Sequence, residues 1–219
     1  MEGYNLSARV SIAALALVLG TAVASSPQAQ APVAPASTVQ RIVVMRHGEK
    51  PAAGLGQLAC RGLARAIALP DVIIAKFGAP QFLFAPNPSR RKADSGKMYD
   101  YIRPLATLEP LAIRLGLPVD VQVGFDQPLA LQRKLALPRY ASATMVVAWE
   151  HKIAADISRG IVKKFGGDGA QVEAWKFDDF DRLDVIDIKR TPGKPVEIAY
   201  TRDKQGLDKI SGDCPKAPA

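Results

Sequence analysis

The chain has 219 residues, of which 48% are hydrophobic and 23% charged; this suits one domain with its own core and excludes global disorder. The formal net charge is +8, so the surface favours anions. No basic and aromatic pattern or helix-turn-helix spacing accompanies this charge, and we therefore expect no nucleic-acid partner.

The first 24 residues have the pattern of a secretory signal peptide. Arg9 precedes an apolar run from Val10 to Ala24, which ends in small residues before Ser25. The run is shorter than the roughly 20 residues that a membrane-spanning helix needs. We therefore expect cleavage near Ala24, no stable membrane insertion afterwards, and a periplasmic or secreted protein.

Composition divides the rest of the chain into a leader, a domain and a tail. Residues 25–38, rich in Ala, Pro, Gln and Ser, predict a flexible leader. The folded domain is expected at residues 39–210, followed by a tail at 211–219. Cys60 and Cys214 are the only cysteines, and in an oxidising compartment they can form a disulfide from the tail to the first helix. Two free thiols are the alternative, and the sequence leaves both open.

Apolar runs alternate with helical patterns through the domain. In chain order the patterns predict a strand at 40–45, a helix at 58–69 interrupted by Pro70, a short turn through Phe77, a strand at 82–85, a polar loop at 89–96, a helix from about 98–103 to 116 bent at Pro110, a strand at 119–123, a helix at 129–137, a strand at 144–149, a helix at 152–165, and antiparallel strands at 182–188 and 196–201. This alternation predicts an α/β fold, a three-layer sandwich whose mostly parallel sheet has helices on both faces and an antiparallel strand pair near the C-terminus.

The only two histidines of the chain both follow predicted buried strands. His47 lies in Arg46-His47-Gly48-Glu49, and His151 follows Glu150 after the strand at 144–149. Ligands gather at the carboxyl ends of parallel strands, so the two imidazoles are expected to meet there. An imidazole beside a guanidinium can attack a phosphoryl group, because the arginine neutralises oxygens that would repel a nucleophile.

Four motifs appear in a recognisable order: Arg46-His47-Gly48, Leu58 to Gly62, Arg103 to Ala112 with Thr-Leu-Glu-Pro-Leu-Ala, and His151 after a later strand. Together they resemble the histidine phosphatase superfamily, also called phosphoglycerate mutase-like, over residues 40–190. The resemblance implies a phosphoric monoester hydrolase without a cofactor, in which His47 becomes phosphorylated. It also implies that Arg46, Arg103 and His151 surround the phosphoryl oxygens.

The sequence offers three candidates for the residue that donates a proton to the leaving group. Lys152 follows His151 where one branch of the superfamily has Asp, so the chain resembles the branch without the His-Asp motif. The resemblance points to Asp126 as the general acid. Glu150 is the rival because it precedes His151, and Glu49, which we also place among the substrate-binding residues, is the third candidate.

Several further alternatives follow from the same residues. Imidazole and carboxylate groups at 47, 49, 150 and 151 suit a metal, but their spacing fits no metal motif and the neighbouring arginine would repel a cation, so we expect none. The basic segment at 87–97 is either a lid over the site or a solvated loop.

The expected function is an exported phosphatase that acts on small phosphorylated substrates. A catalytically weak phosphate-binding envelope module is the alternative, and a phosphomutase is a further one. The oligomeric state is left open.

Overall fold

The computed structural model describes residues 36–214. The predicted signal peptide and nearly all of the predicted leader, like the last five residues of the tail, lie outside this range. The elements in chain order are β1 (Thr38–Arg46), α1 (Cys60–Phe77), β2 (Phe82–Phe84), β3 (Arg91–Asp94), β4 (Lys97–Asp100), α2 (Arg103–Leu115), β5 (Val119–Asp120), α3 (Pro128–Leu135), β6 (Thr144–Trp149), α4 (His151–Lys164), β7 (Arg182–Arg190) and β8 (Glu197–Lys204), with short 3-10 helices at Pro138–Tyr140 and Gly169–Gln171.

Six of the strands form one sheet in the order β5-β2-β6-β1-β7-β8. Strands β5, β2, β6 and β1 are parallel to one another, whereas β7 is antiparallel to both β1 and β8. The predicted α/β class, with its antiparallel pair near the C-terminus, is confirmed.

Helices cover both faces of this sheet, which explains the apolar run of β1. Ile42 and Val44 belong to the core on the side of α3 and α4, while Val43 and Met45 belong to the core on the side of α1 and α2. All four side chains are fully buried. A strand covered on both faces has no solvent side, so its sequence does not alternate.

The prediction that Pro70 interrupts the first helix is wrong. Helix α1 continues through Pro70 to Phe77. Proline in a helix interior costs about 3 kcal/mol, and Leu69 and Ile73, both fully buried beside it, contribute about 1.5–3 kcal/mol each by leaving water. Core packing on both sides of the proline therefore outweighs its local penalty.

The predicted loop at 89–96 is also wrong in part, because β3 and β4 form an antiparallel hairpin here. Its two-residue turn is Ser95-Gly96, with φ values of 50° and 81°, and positive φ at both positions matches the twist of a tight hairpin. Met98 lies in β4, so the second helix begins only at Arg103, with Pro104 as its next residue.

Cys60 and Cys214 form a disulfide, with their Cα atoms 4.3 Å apart. The bond joins the first residue of α1 to the end of the described chain, so the alternative of two free thiols does not hold. Among residues 36–214, no helix combines the length and the apolarity that crossing a membrane requires.

Candidate active site

The ends of β1 and β6 bring the two histidines to one edge of the sheet. These strands pair in parallel with Arg46 opposite Trp149, and the His47 amide donates a hydrogen bond to the Trp149 carbonyl at 2.9 Å. His47 and His151 consequently line the same cavity, which has a volume of about 150 Å³. The structure thus brings together the two imidazoles on which the sequence-based hypothesis depends.

The cavity is strongly cationic. Four side chains with positive charge face two carboxylates, which leaves a net charge of +2 before the histidines are considered. The lining consists of Arg46, His47, Lys50, Lys92, Ala93, Asp94, Arg103, Glu150, His151 and Phe177. In the described part of the chain, no group of three or more His, Cys, Asp or Glu side chains is arranged to hold a metal ion. The electrostatics suit a dianion rather than a cation.

His47 is held as a neutral imidazole with a defined tautomer. Its Nδ1 lies 2.7 Å from the Gly48 carbonyl oxygen, which can only accept, so Nδ1 carries the proton. Burial lowers the pKa of His47 well below 6.5, and the nearby Arg103 and Arg46 guanidinium groups lower it further. The lone pair is therefore on Nε2, which is the state that a nucleophile needs.

Arg46 is fixed between a carbonyl and two aromatic rings. Its guanidinium donates to the Phe177 carbonyl and lies 3.7 Å from the centre of the Phe180 ring. Burial lowers the pKa of Arg46 to about 10, so the group is still charged at neutral pH. Its buried Nε has no hydrogen-bond partner among the described residues. Phe177 and Phe180 therefore hold this arginine in place.

Arg103 begins α2 and is almost completely buried. Its guanidinium contacts the Asp94 carboxylate, while its Nε is buried without a partner within the described range. The Thr107 hydroxyl donates to the Arg103 carbonyl at 2.8 Å and accepts from the Gly48 amide at 2.9 Å. Thr107 therefore ties the arginine helix to the loop that carries His47.

His151 begins α4 and is paired with the residue before it. Oε1 of Glu150 lies 2.6 Å from Nδ1 of His151, close enough for an ion pair, although the angles are not those of a hydrogen bond. The pKa of His151 is lowered, mainly by burial, and Glu150 opposes this shift. A dianion bound in the cavity would favour the imidazolium form further.

Lys92 reaches the cavity from the β3–β4 hairpin. Its ammonium lies 4.8 Å from the centre of the Phe125 ring and 5.2 Å from that of Tyr101. Within residues 36–214 no carboxylate oxygen lies within 4.0 Å of it, and burial lowers its pKa. Lys92 thus supplies a cation that has no direct ion pair with a carboxylate among the described residues, although the charges of Glu150 and Asp94 act on it from farther away.

Two of the predicted site residues do not line this cavity. Asp126 is about half exposed and pairs with Arg90 at 3.0 Å. Glu49 accepts from the Arg65 guanidinium at 2.8 and 3.0 Å, so it is held against α1. In this structure neither the predicted general acid nor the predicted substrate contact of Glu49 is in place, because each carboxylate is bound by an arginine elsewhere.

The two glycines of the motifs serve to pack the histidine loop on α1. A Cβ added at Gly48 would lie 2.9 Å from the Gly62 carbonyl oxygen, and one added at Gly62 would lie 2.8 Å from the Glu49 amide nitrogen. Because neither residue has a side chain, the histidine loop approaches the helix closely.

Comparison with solved structures agrees with the topology described above. A mycobacterial hydrolase matches 74% of this chain and 89% of its own length, with a TM-score of 0.51 and 15% sequence identity. The chain has the phosphoglycerate mutase-like fold. The predicted fold of the histidine phosphatase superfamily is therefore confirmed on structure.

Two further solved structures are similar at lower scores. A mycobacterial glucosyl-3-phosphoglycerate phosphatase, solved with inorganic phosphate, covers 74% of this chain and 95% of its own at 15% identity, with a TM-score of 0.48. A phosphoserine phosphatase from Entamoeba histolytica covers 78% and 99% at 10% identity, with a TM-score of 0.45. No protein-family model matches the chain, and no curated protein does.

Sequence reasoning missed Lys50, Lys92, Asp94 and Phe177 as lining residues of this cavity. Lys92 and Asp94 lie in the segment 87–97, for which the sequence left a lid and a solvated loop open without singling out either residue. The Ser95-Gly96 dipeptide, a two-residue turn between short alternating segments, is the local signal that predicts the hairpin. No local signal shows that this hairpin folds over the end of β1.

Proposed function

We propose that the protein is an exported phosphatase that hydrolyses small phosphomonoesters through a phosphohistidine intermediate on His47. The observation that carries this proposal is the cavity itself, in which a neutral imidazole shares about 150 Å³ with two arginines, two lysines and a second histidine. Phosphoryl transfer needs positioning and charge stabilisation more than covalent help, and this set of side chains supplies both.

In the proposed first step, Nε2 of His47 attacks phosphorus while Arg46 and Arg103 bind the phosphoryl oxygens. Each arginine has a buried Nε without a partner in the described chain. A buried donor left unpaired costs about 1–3 kcal/mol, which an oxyanion would recover on binding. One bound phosphoryl group would thus supply acceptors for both arginines and the phosphorus atom that His47 attacks.

The size of the cavity supports a compact substrate group. Cavities for drug-sized ligands measure roughly 300–1,000 Å³, whereas this one measures about 150 Å³. It accommodates a phosphoryl group and the atoms next to it, so the rest of the alcohol extends outwards past Phe177, whose side chain is 69% exposed.

Export is supported by two separate features of the chain. The signal-peptide pattern at residues 1–24 indicates secretion, and the disulfide between Cys60 and Cys214 suits an oxidising compartment. The test is the amino-terminal sequence of the protein recovered from the periplasm or the medium. Export predicts a start near Ser25, whereas a cell-retained chain that still begins at Met1 would contradict it.

Turnover tests the catalytic proposal. The purified wild-type protein should hydrolyse p-nitrophenyl phosphate, and His47→Asn should lower kcat by at least about a thousandfold. Asp126→Asn, whose side chain does not line the cavity, is the matched control and should stay within about twofold. Equal, slow rates for wild type and His47→Asn, together with tight binding of inorganic phosphate, would instead favour the catalytically weak phosphate-binding module.

A further inference from the structure

Hydrolysis of an ester with a poor leaving group requires a proton for the departing oxygen. The sequence offered Asp126, Glu150 and Glu49. Asp126 and Glu49 pair with Arg90 and Arg65 and do not line the cavity. Among the described residues, the carboxylates that do line it are Asp94 and Glu150. The candidates for the proton donor are therefore these two residues.

Glu150 is already occupied on both of its carboxylate oxygens. Oε1 is 2.6 Å from Nδ1 of His151, and Oε2 accepts from the Ile153 amide at 3.3 Å, which caps the first turn of α4. A residue that caps the helix and holds the imidazole at its start is fixed in place by both contacts. Glu150 is thus a positioning residue for His151.

Both carboxylate oxygens of Asp94 are occupied as well, but by Lys50 and Arg103, two cations that line the cavity and that a bound phosphoryl group would share. Asp94 ends β3, and its side chain is only 4% exposed, held between the Lys50 ammonium and the Arg103 guanidinium. Gly54, with φ of 78°, passes so close that a Cβ at this position would collide with the Asp94 carboxylate. The loop after β1 therefore packs directly against the carboxylate of the hairpin residue Asp94, which lies in the cationic cavity.

The cations that hold Asp94 are also those that attract a phosphoryl group. Burial raises the pKa of Asp94, but the contacts with Lys50 and Arg103 together outweigh burial and lower it. A bound dianion shares Arg103 and places negative charge beside the carboxylate. Both effects favour the protonated acid.

We propose that Asp94, delivered by the β3–β4 hairpin, is the general acid and base of the reaction. This inference rests on the proposed phosphatase function. It assigns to the hairpin a catalytic group as well as the cation Lys92. The hairpin is thus part of the active site and not only its cover.

The proton and the electron pairs balance over two steps. In the first, the Nε2 lone pair of His47 forms the N–P bond, the P–O ester bond breaks, and the Asp94 carboxyl gives its proton to the leaving oxygen, so that an alcohol departs. In the second, water attacks phosphorus, its proton passes to the Asp94 carboxylate, and the N–P bond breaks with its electron pair returning to Nε2. Phosphate leaves, and both residues regain the states that they have in the substrate complex, with Asp94 protonated and Nε2 of His47 carrying its lone pair.

Leaving-group dependence tests this assignment. The values of kcat/KM are measured for wild type, Asp94→Asn and Glu150→Gln on p-nitrophenyl phosphate, which has a good leaving group, and on phenyl phosphate, which has a poor one. Asp94→Asn should lose about 100- to 1,000-fold on phenyl phosphate, and at least ten times less on p-nitrophenyl phosphate. Glu150→Gln should lose the same factor on both esters.

Equal losses on the two esters for Asp94→Asn would show that Asp94 only positions Arg103 and would overturn the proposal, as would a selective loss for Glu150→Gln. If Asp94→Asn does not fold, Asp94→Ala in the presence of formate replaces it. Formate should then restore phenyl phosphate turnover selectively, and the absence of a selective rescue would also overturn the assignment. If the wild-type protein hydrolysed neither ester, the proposed phosphatase function itself would be refuted.

Discussion

The packing of α1 on the histidine loop makes a quantitative prediction for Gly62→Ala. The new Cβ would lie 2.8 Å from the Glu49 amide nitrogen and closer still to the Glu49 carbonyl oxygen, whereas ordinary contact begins at 3.4 Å. These are backbone atoms, which cannot rotate away. The loop must therefore retreat by at least 0.6 Å from the nitrogen and by roughly 1 Å from the oxygen.

His47 lies two residues before Glu49, so this movement reaches the nucleophile. A misplacement of about 1 Å costs on the order of 100-fold in rate, and overpacking of this kind costs about 1–3 kcal/mol of stability. We expect Gly62→Ala to fold, with kcat on p-nitrophenyl phosphate lowered about 100-fold. Steady-state kinetics and urea denaturation measure the two effects.

Gly160→Ala is the matched control, because Gly160 also lies in a helix. The three atoms nearest to its new Cβ all belong to the side-chain amide of Gln132, the end of a flexible side chain that can move aside. Stability should change by less than about 1 kcal/mol and kcat should not change. A folded Gly62→Ala variant with kcat within threefold of wild type would refute the claim that this glycine contact positions His47.

Three further predictions concern the anion site, the histidines and the disulfide. Lys92→Met should raise the inhibition constant of inorganic phosphate about tenfold, because a charged contact worth about 1.5 kcal/mol is lost; an unchanged constant would place Lys92 outside the anion site. The pKa values of His47 and His151 are lowered from 6.5 by burial, so below that pH the unfolded chain takes up protons that the folded chain binds only at lower pH. The free energy of unfolding should therefore be at its full value above pH 6.5 and should fall below it by up to about 1.4 kcal/mol per pH unit for each histidine. Urea titrations between pH 7.5 and 5.5 measure this slope, and a double variant with His47→Gln and His151→Gln that keeps it would contradict the assignment. The paired variant Cys60→Ser and Cys214→Ser, which opens a loop with a sequence separation of 154 residues, should lose about 4 kcal/mol of stability, and a loss below about 1 kcal/mol would show that the tail adds little constraint.

The placement of the site residues at the ends of β1 and β6 was predictable, because it follows from the runs of apolar residues in these two strands. The apolar runs of these strands indicate burial on both faces, and parallel strands end at the same edge of a sheet. His47 and His151 therefore meet as expected, with Arg46 beside them. Arg103 was placed by its motif at the start of a helix, which is where the structure has it.

The part carried by the hairpin was not predictable in the same way. Lys92 and Asp94 are polar residues in a polar segment, and only the fold of the hairpin over the sheet edge buries Asp94 against Arg103 and Lys50. Asp126 was the expected acid, yet in the structure it pairs with Arg90 and does not line the cavity. Which charged groups pair is decided by distances in the folded chain, and periodicity carries no information about them.

The central claim is that His47 carries the phosphoryl group during turnover. The most direct measurement is to mix the wild-type protein with a ³²P-labelled phosphomonoester, quench within one turnover, and locate the label by peptide mass analysis. We predict label on His47 that survives alkali and is lost in acid, because an N–P bond has this stability. Acid-stable label on a serine, or rapid turnover with no labelled protein at any quench time, would contradict the account.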